Sequence, residues 1–192
     1  PTPHAAASRE RQPPLGGPAV YQRILVPIDG SETSLLAVDE AIRLARMTGG
    51  RLRFLHALDQ LSIAYAMDSY EGFSPDWGAA LRENGQELLG GAKSSAVAAG
   101  VEADTVMHES FNDRLVDVVM AEARQWPADL IVLGTHGRRG IRRLLLGSGA
   151  QDILRAACVP VLMVRAQEPS AETESAGGPA HVSLPSAALS ME

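Results

Sequence analysis

Residues Asp129–Gly149 read DLIVLGTHGRRGIRRLLLGSG. Leu130–Leu133 is an unbroken apolar run, the pattern of a short strand buried on both faces of a parallel sheet. The chemistry then changes. From Gly134 to Gly149, five of sixteen residues are glycine and four are arginine, in a chain whose formal net charge is −6. Glycine at that density weakens helices and strands alike. The backbone here must turn sharply or come close to something, and the arginines make an anion the natural neighbour. In open α/β sheets, ligands bind just beyond the carboxyl ends of such strands.

Working outward, short apolar runs alternate with helical patterns. Arg23–Pro27 reads as a strand ending in a turn at Asp29-Gly30. Leu35 to Met47 places Leu35, Val38, Ile42 and Ala45 at helical spacing, and Gly49-Gly50 stops it. Arg51–Leu58 is a second strand, followed by a long loop over residues 59–75. A second helix is expected over Asp76–Ala99, interrupted in pattern by Gly85, Gly90 and Gly91 and ended at Gly100. Val101–His108 reads as a third strand. Arg114–Gln125 reads as a helix ended by Trp126-Pro127, and Asp129–Leu133 as the fourth strand. Gly149–Ala157 is a short helix and Val159–Arg165 the last strand. Strands separated each time by a helix predict right-handed crossovers: an α/β, Rossmann-like, open parallel five-stranded sheet with helices on both faces.

The ends differ from this middle. Residues 1–19 hold five prolines, and residues 167–192 are rich in Ser, Ala, Glu, Gly and Pro. Neither shows apolar periodicity, so both are expected to be disordered tails around one domain at residues 20–166. Glu168, Glu172, Glu174 and Glu192 account for four of the negative charges, so the acidic tail reads as a solvated end. The domain stays mildly acidic, which argues against nonspecific nucleic-acid binding. No apolar run approaches the twenty or so residues of a membrane span, and the first residues carry no signal-peptide block. A cytoplasmic protein is expected. Cys158 is the only cysteine, read as a small buried hydrophobe beside the last strand.

A loop that holds phosphate needs inward N–H groups, no β-carbons in the way, and preferably a helix N-terminus behind it. Gly134, Gly137, Gly147, Ser148 and Gly149 can supply these, with Ser148 capping the helix or offering its hydroxyl. The same residues also suit turns and caps with no ligand. Two nucleotide signatures are missing. The chain's one lysine, Lys93, lies elsewhere, which excludes a P-loop; position 152 is Asp, which breaks the dinucleotide fingerprint. Arg138, Arg139, Arg142 and Arg143 would share one side of a helical turn, to face a polyphosphate or simply water. His136 lies inside the loop. His56 and His108 fall near strand ends, where satisfied core or rim histidines are common, and no zinc-ligand spacing occurs.

Taken together, Gly134-x-x-Gly137, nine residues, then Gly147-Ser148 resembles the G-2x-G-9x-G-[ST] pattern of the ATP-binding branch of the universal stress protein family. ILVPIDGS (Ile24–Ser31) looks like that family's opening strand and turn, and CVPVLMVR (Cys158–Arg165) is similar to its closing strand. The likeness spans about residues 20–166. It implies an adenine nucleotide alpha hydrolase-like fold holding ATP, possible Mg²⁺ included, between strands one and four. Pro27, Ile28 and Asp29 would then contact base and ribose, with Asp29 suited to ribose hydroxyls or to Mg²⁺ on the phosphates. Leu55, His56 and Ala57 would form the adenine wall. Leu133, Gly134, His136, Gly137, Gly147, Ser148, Gly149 and Ala150 would line the phosphate side. Ala150 departs from relatives that offer a hydroxyl there.

The resemblance thus implies an ATP-binding stress-response regulatory module with at most slow hydrolysis. Fast phosphoryl transfer would want a base and further metal-binding carboxylates. An adenylating or ATP pyrophosphatase-type enzyme is the alternative, on the loose likeness of Asp29–Ser34 to a pyrophosphatase loop. A nucleotide-independent structural dimer is a third reading, since Val159–Arg165 is apolar and belongs at a sheet edge that a second copy could cover. The family resemblance also implies a homodimer through that strand.

Overall fold

A computed structural model describes residues 20–59, 77–110, 113–135 and 147–166. The two expected tails, nearly all of the 59–75 loop, His136, Gly137 and the four arginines of the glycine stretch lie outside the described residues.

Among the described residues, strands and helices alternate: β1 (Arg23–Pro27), α1 (Glu32–Thr48), β2 (Arg51–Asp59), α2 (Trp77–Ala98), β3 (Ala103–Ser110), α3 (Leu115–Gln125), β4 (Leu130–Gly134), α4 (Ser148–Ala156) and β5 (Val161–Val164). The strands form one sheet, all neighbours parallel, in the order β3-β2-β1-β4-β5. Successive side chains of β1 go to opposite faces. Ile24 and Val26 pack with α1 and α2; Leu25 packs with α3 and α4. All three are fully buried, which is why the run is continuously apolar rather than alternating. The expected five-stranded architecture is therefore present, and β5 is at the edge as foreseen.

Capping chemistry sets the helix ends. Ser31 caps α1, its Oγ accepting from the Ser34 amide at 3.3 Å. Gly49 closes that helix in the left-handed region at φ 71°, and Gly100 follows α2 at φ 76°. Val101 donates its amide to the Ala96 carbonyl at 2.9 Å and is buried in the α1–α2 core. Its apolar character thus belongs to the helix cap, and β3 starts at Ala103 rather than at the expected Val101.

Two further expectations are corrected. Leu35 is exposed, because the inner face of α1 is Ser34, Ala37, Val38, Ala41, Ile42 and Ala45. Cys158 is exposed rather than buried; it follows α4 on an outer bend, with its Sγ 3.8 Å from the Ala156 carbonyl.

The amino ends of the strands are tied by polar groups. Asp129 accepts from the Gln22 and Arg23 amides at 2.7 and 2.9 Å and returns its own amide to the Arg23 carbonyl at 2.9 Å. On β2, Arg53 forms two hydrogen bonds to Asp104 (2.7 and 2.6 Å) and one to Glu122 (2.8 Å), and lies 4.8 Å from the ring centre of buried Trp126. The Asp104 hydrogen bonds raise the guanidinium pKa above its already high ordinary value, against the opposing effect of burial. Among the described residues, no helix is long and apolar enough to cross a membrane.

Candidate functional site

The chain order reverses between β1 and β4: from β1 the strands step outward to β2 and β3, and from β4 to β5. Such a switch point leaves a crevice at the carboxyl ends. Here β1 stays paired with β2 as far as Pro27↔Leu55, but with β4 only at Ile24↔Leu130 and Leu25↔Ile131. Beyond that point the first turn of α1 moves in. Thr33 is buried, and a β-carbon on Gly134 would lie 2.7 Å from both its carbonyl oxygen and its Oγ1. The bare Gly134 backbone accommodates the protein's own helix.

On the β1 side, Ile28 is gripped by β2. Its amide donates to the Leu55 carbonyl at 2.8 Å, its carbonyl lies 2.7 Å from His56 Nδ1, and its side chain enters the α1–α2 core. The chain then turns. Asp29 Oδ1 accepts from the Ser31 amide at 3.0 Å and from its hydroxyl at 2.6 Å, a side-chain-closed turn of the kind Asp favours. Gly30 supplies the left-handed step at φ 79°. A half-buried carboxylate therefore stands at the positive end of α1.

Opposite it, Thr135 donates its amide to the Val164 carbonyl and accepts from the Gly147 amide, both at 2.9 Å. The chain leaves the sheet at Thr135 and comes back to the same residue. α4 begins immediately, with Gly147 as its N-cap and no side-chain cap bond. Ser148 is the first helical residue, exposed, so it does not cap as expected. The first backbone bond of the helix runs from the Gln151 amide to the Gly147 carbonyl at 3.0 Å. The Ser148, Gly149 and Ala150 amides lie ahead of it, in the first turn, where helix donors have no intrahelical acceptor. Gly149 sits against α3, where a β-carbon would come within 3.2 Å of Leu115 Cδ2, and Ala150 packs against the α3–α4 core.

The structure thus gathers Pro27, Ile28, Asp29, Leu133, Gly134, Gly147, Ser148, Gly149 and Ala150 at the ends of β1 and β4 and the start of α4. Leu55 and Ala57 are one strand further out and belong with the α3–α4 core, as does buried Leu133. His56 lies on the other face, its ring against Gly85 of α2. His108 is a rim residue, bonded to Asp113 at 3.0 Å. Thr33 and Thr135 were not legible beforehand; a lone threonine carries no spacing signal. The Ser31-x-x-Ser34 cap is readable in principle. Among the described residues no group of three His, Cys, Asp or Glu side chains gathers as a metal site.

The family model described as "Universal stress protein family" matches residues 20–165. A universal stress protein of Methanocaldococcus jannaschii is 36% identical over 151 residues, covering 78% of this chain and 85% of the relative. A crystal structure of a universal stress protein family member from Burkholderia pseudomallei is 32% identical with a TM-score of 0.61, over 79% of this chain and 100% of that one. Another, of a universal stress protein in complex with cAMP, is 28% identical with a TM-score of 0.53, over 76% and 98% of the two chains.

Proposed function

Since the chain belongs to the universal stress protein family, we propose that it is an ATP-binding regulatory module of the stress response, holding the nucleotide in the β1–β4 crevice. The observation that carries this reading is the start of α4 at Gly147, without a side-chain cap and bonded to Thr135 at the carboxyl end of β4, a strand that flanks the sheet's switch point. The Ser148, Gly149 and Ala150 amides and the helix dipole would take the phosphates, and Gly134, His136 and Gly137 would complete that side. Pro27, Ile28 and Asp29 would meet ribose and base, with Leu55 and Ala57 as the apolar wall.

The residues present fit the ligand chemically. Amides in a helix's first turn are donors awaiting acceptors, and Asp29 offers a carboxylate to ribose hydroxyls or to Mg²⁺ carried on the phosphates, a cation that needs few protein ligands. The family supplies a further support, since one relative of 28% identity was solved with cAMP. Hydrolysis is at most slow in this reading: a triphosphate is retained by amides and one carboxylate, with no assigned base. Working as a cytoplasmic homodimer belongs to the same proposal. Its basis is β5, an edge strand of half-buried apolar residues within Val159–Arg165.

The test is a calorimetric titration of full-length protein with ATP, AMP and cAMP, with and without Mg²⁺, beside chromatography of nucleotide released on denaturing fresh protein. Saturable ATP binding, lost in a folded Gly137→Val variant, is expected. No heat with any of the three, and none released, overturns the proposal.

A further inference from the structure

We propose that His56 positions the nucleotide turn, acting through the Ile28 carbonyl, and that residue 85 is glycine in order to admit the His56 ring. The inference rests on the adenine-nucleotide reading of the crevice.

His56 is only 6% exposed, and its Nδ1 is 2.7 Å from the Ile28 carbonyl. A carbonyl can only accept, so Nδ1 carries the hydrogen and donates. With the Ile28 amide already bonded to Leu55 at 2.8 Å, both backbone groups of Ile28 are locked to β2. The next residue is Asp29, whose carboxylate organises the turn into α1. The histidine thereby fixes the last rigid point before the ligand-facing turn. Its ring is on the α2 side of the sheet, away from Leu55 and Ala57, so it acts through the backbone rather than by touching the nucleotide.

Gly85 gives an independent sign of the ring's importance. Glycine inside a helix is less favourable than alanine, and α2 carries three beyond its first turn, at positions 85, 90 and 91. At Gly90 and Gly91 a β-carbon would meet nothing within 4 Å. At Gly85 it would lie 2.9 Å from His56 Cδ2 and 3.1 Å from Met107 Sδ, so the space belongs to the histidine.

The experiment compares ATP affinity by calorimetry for the wild type, His56→Leu, His56→Asn and Gly85→Ala, each checked for folding by circular dichroism. Leucine removes the donor, whereas asparagine returns an N–H near the δ position. His56→Leu should weaken binding about tenfold, and His56→Asn should recover it to within about twofold. Gly85→Ala should weaken binding in the wild-type background and have no further effect on His56→Asn, whose smaller side chain leaves room. A folded His56→Leu protein that binds like wild type overturns the inference; should that variant not fold, unchanged affinity in Gly85→Ala does so. If the wild type binds no adenine nucleotide, the crevice reading fails by itself. Amide exchange of Ile28 and Ser31 in the free proteins then decides the positioning role: faster in His56→Leu and restored in His56→Asn supports it, equal rates overturn it.

Discussion

Thr33 and Gly134 touch across the crevice so closely that no β-carbon fits on the glycine: one placed there would stand 2.6 Å from the Thr33 carbonyl carbon. The obstacle is backbone, so no side-chain rotation relieves it. Gly134→Ala should push the first turn of α1 off β4 and lower stability by about 1–3 kcal/mol, read as a reduced urea midpoint. An unchanged midpoint would mean that α1 retreats without cost.

At Gly147 the two roles of a helix N-terminus can be set against each other. Its φ of −57° suits any residue, and α4 has no side-chain cap. Gly147→Asp should therefore stabilise the ligand-free domain by about 0.5 kcal/mol. The same carboxylate would repel phosphate, so ATP affinity should fall at least about tenfold at low salt. Thermal melts and titrations moving in opposite directions are the expected signature.

Asp29→Asn keeps an Oδ1 that can accept from the Ser31 amide and hydroxyl, and removes only the charge. The turn should survive, with a melting temperature close to wild type. Affinity for ATP in the presence of Mg²⁺ should drop by about tenfold, and much less without the cation. Equal losses in both conditions would assign Asp29 to the ribose alone.

At the far end of the sheet, stability should change without any change in binding. Asp129→Ala strands the Gln22 and Arg23 amides and should cost about 2–3 kcal/mol. Arg53→Lys loses the two-bond grip on Asp104 and the stacking on Trp126, for about 1–2 kcal/mol. Denaturant curves measure both, and ATP titrations of the two variants should match wild type.

The strands were legible because parallel strands buried on both faces read as unbroken apolar runs, as at Ile24–Val26 and Leu130–Leu133. Where apolar character served something else, the reading slipped. Val101 belongs to a helix cap, Leu35 faces water, and Cys158 sits on an outer bend. The spacing of glycines offered Gly134 two uses, approach to a phosphate or a turn with no ligand, while the structure shows a third, contact with Thr33. Arg53, Trp126 and Asp129 were invisible as partners, since their meeting depends on strand register rather than on sequence distance. Nothing in the structure explains Gly90 and Gly91.

The bond from the Gly147 amide to the Thr135 carbonyl ties the start of α4 to the end of β4, whatever the length of chain between them. Entropy charges little for a longer detour, about 0.6 kcal/mol for each doubling of its length. Such a stretch can be exchanged like a cartridge, with neither β4 nor α4 losing register. A change of length between residues 135 and 147 is thereby separated from the folding of the sheet.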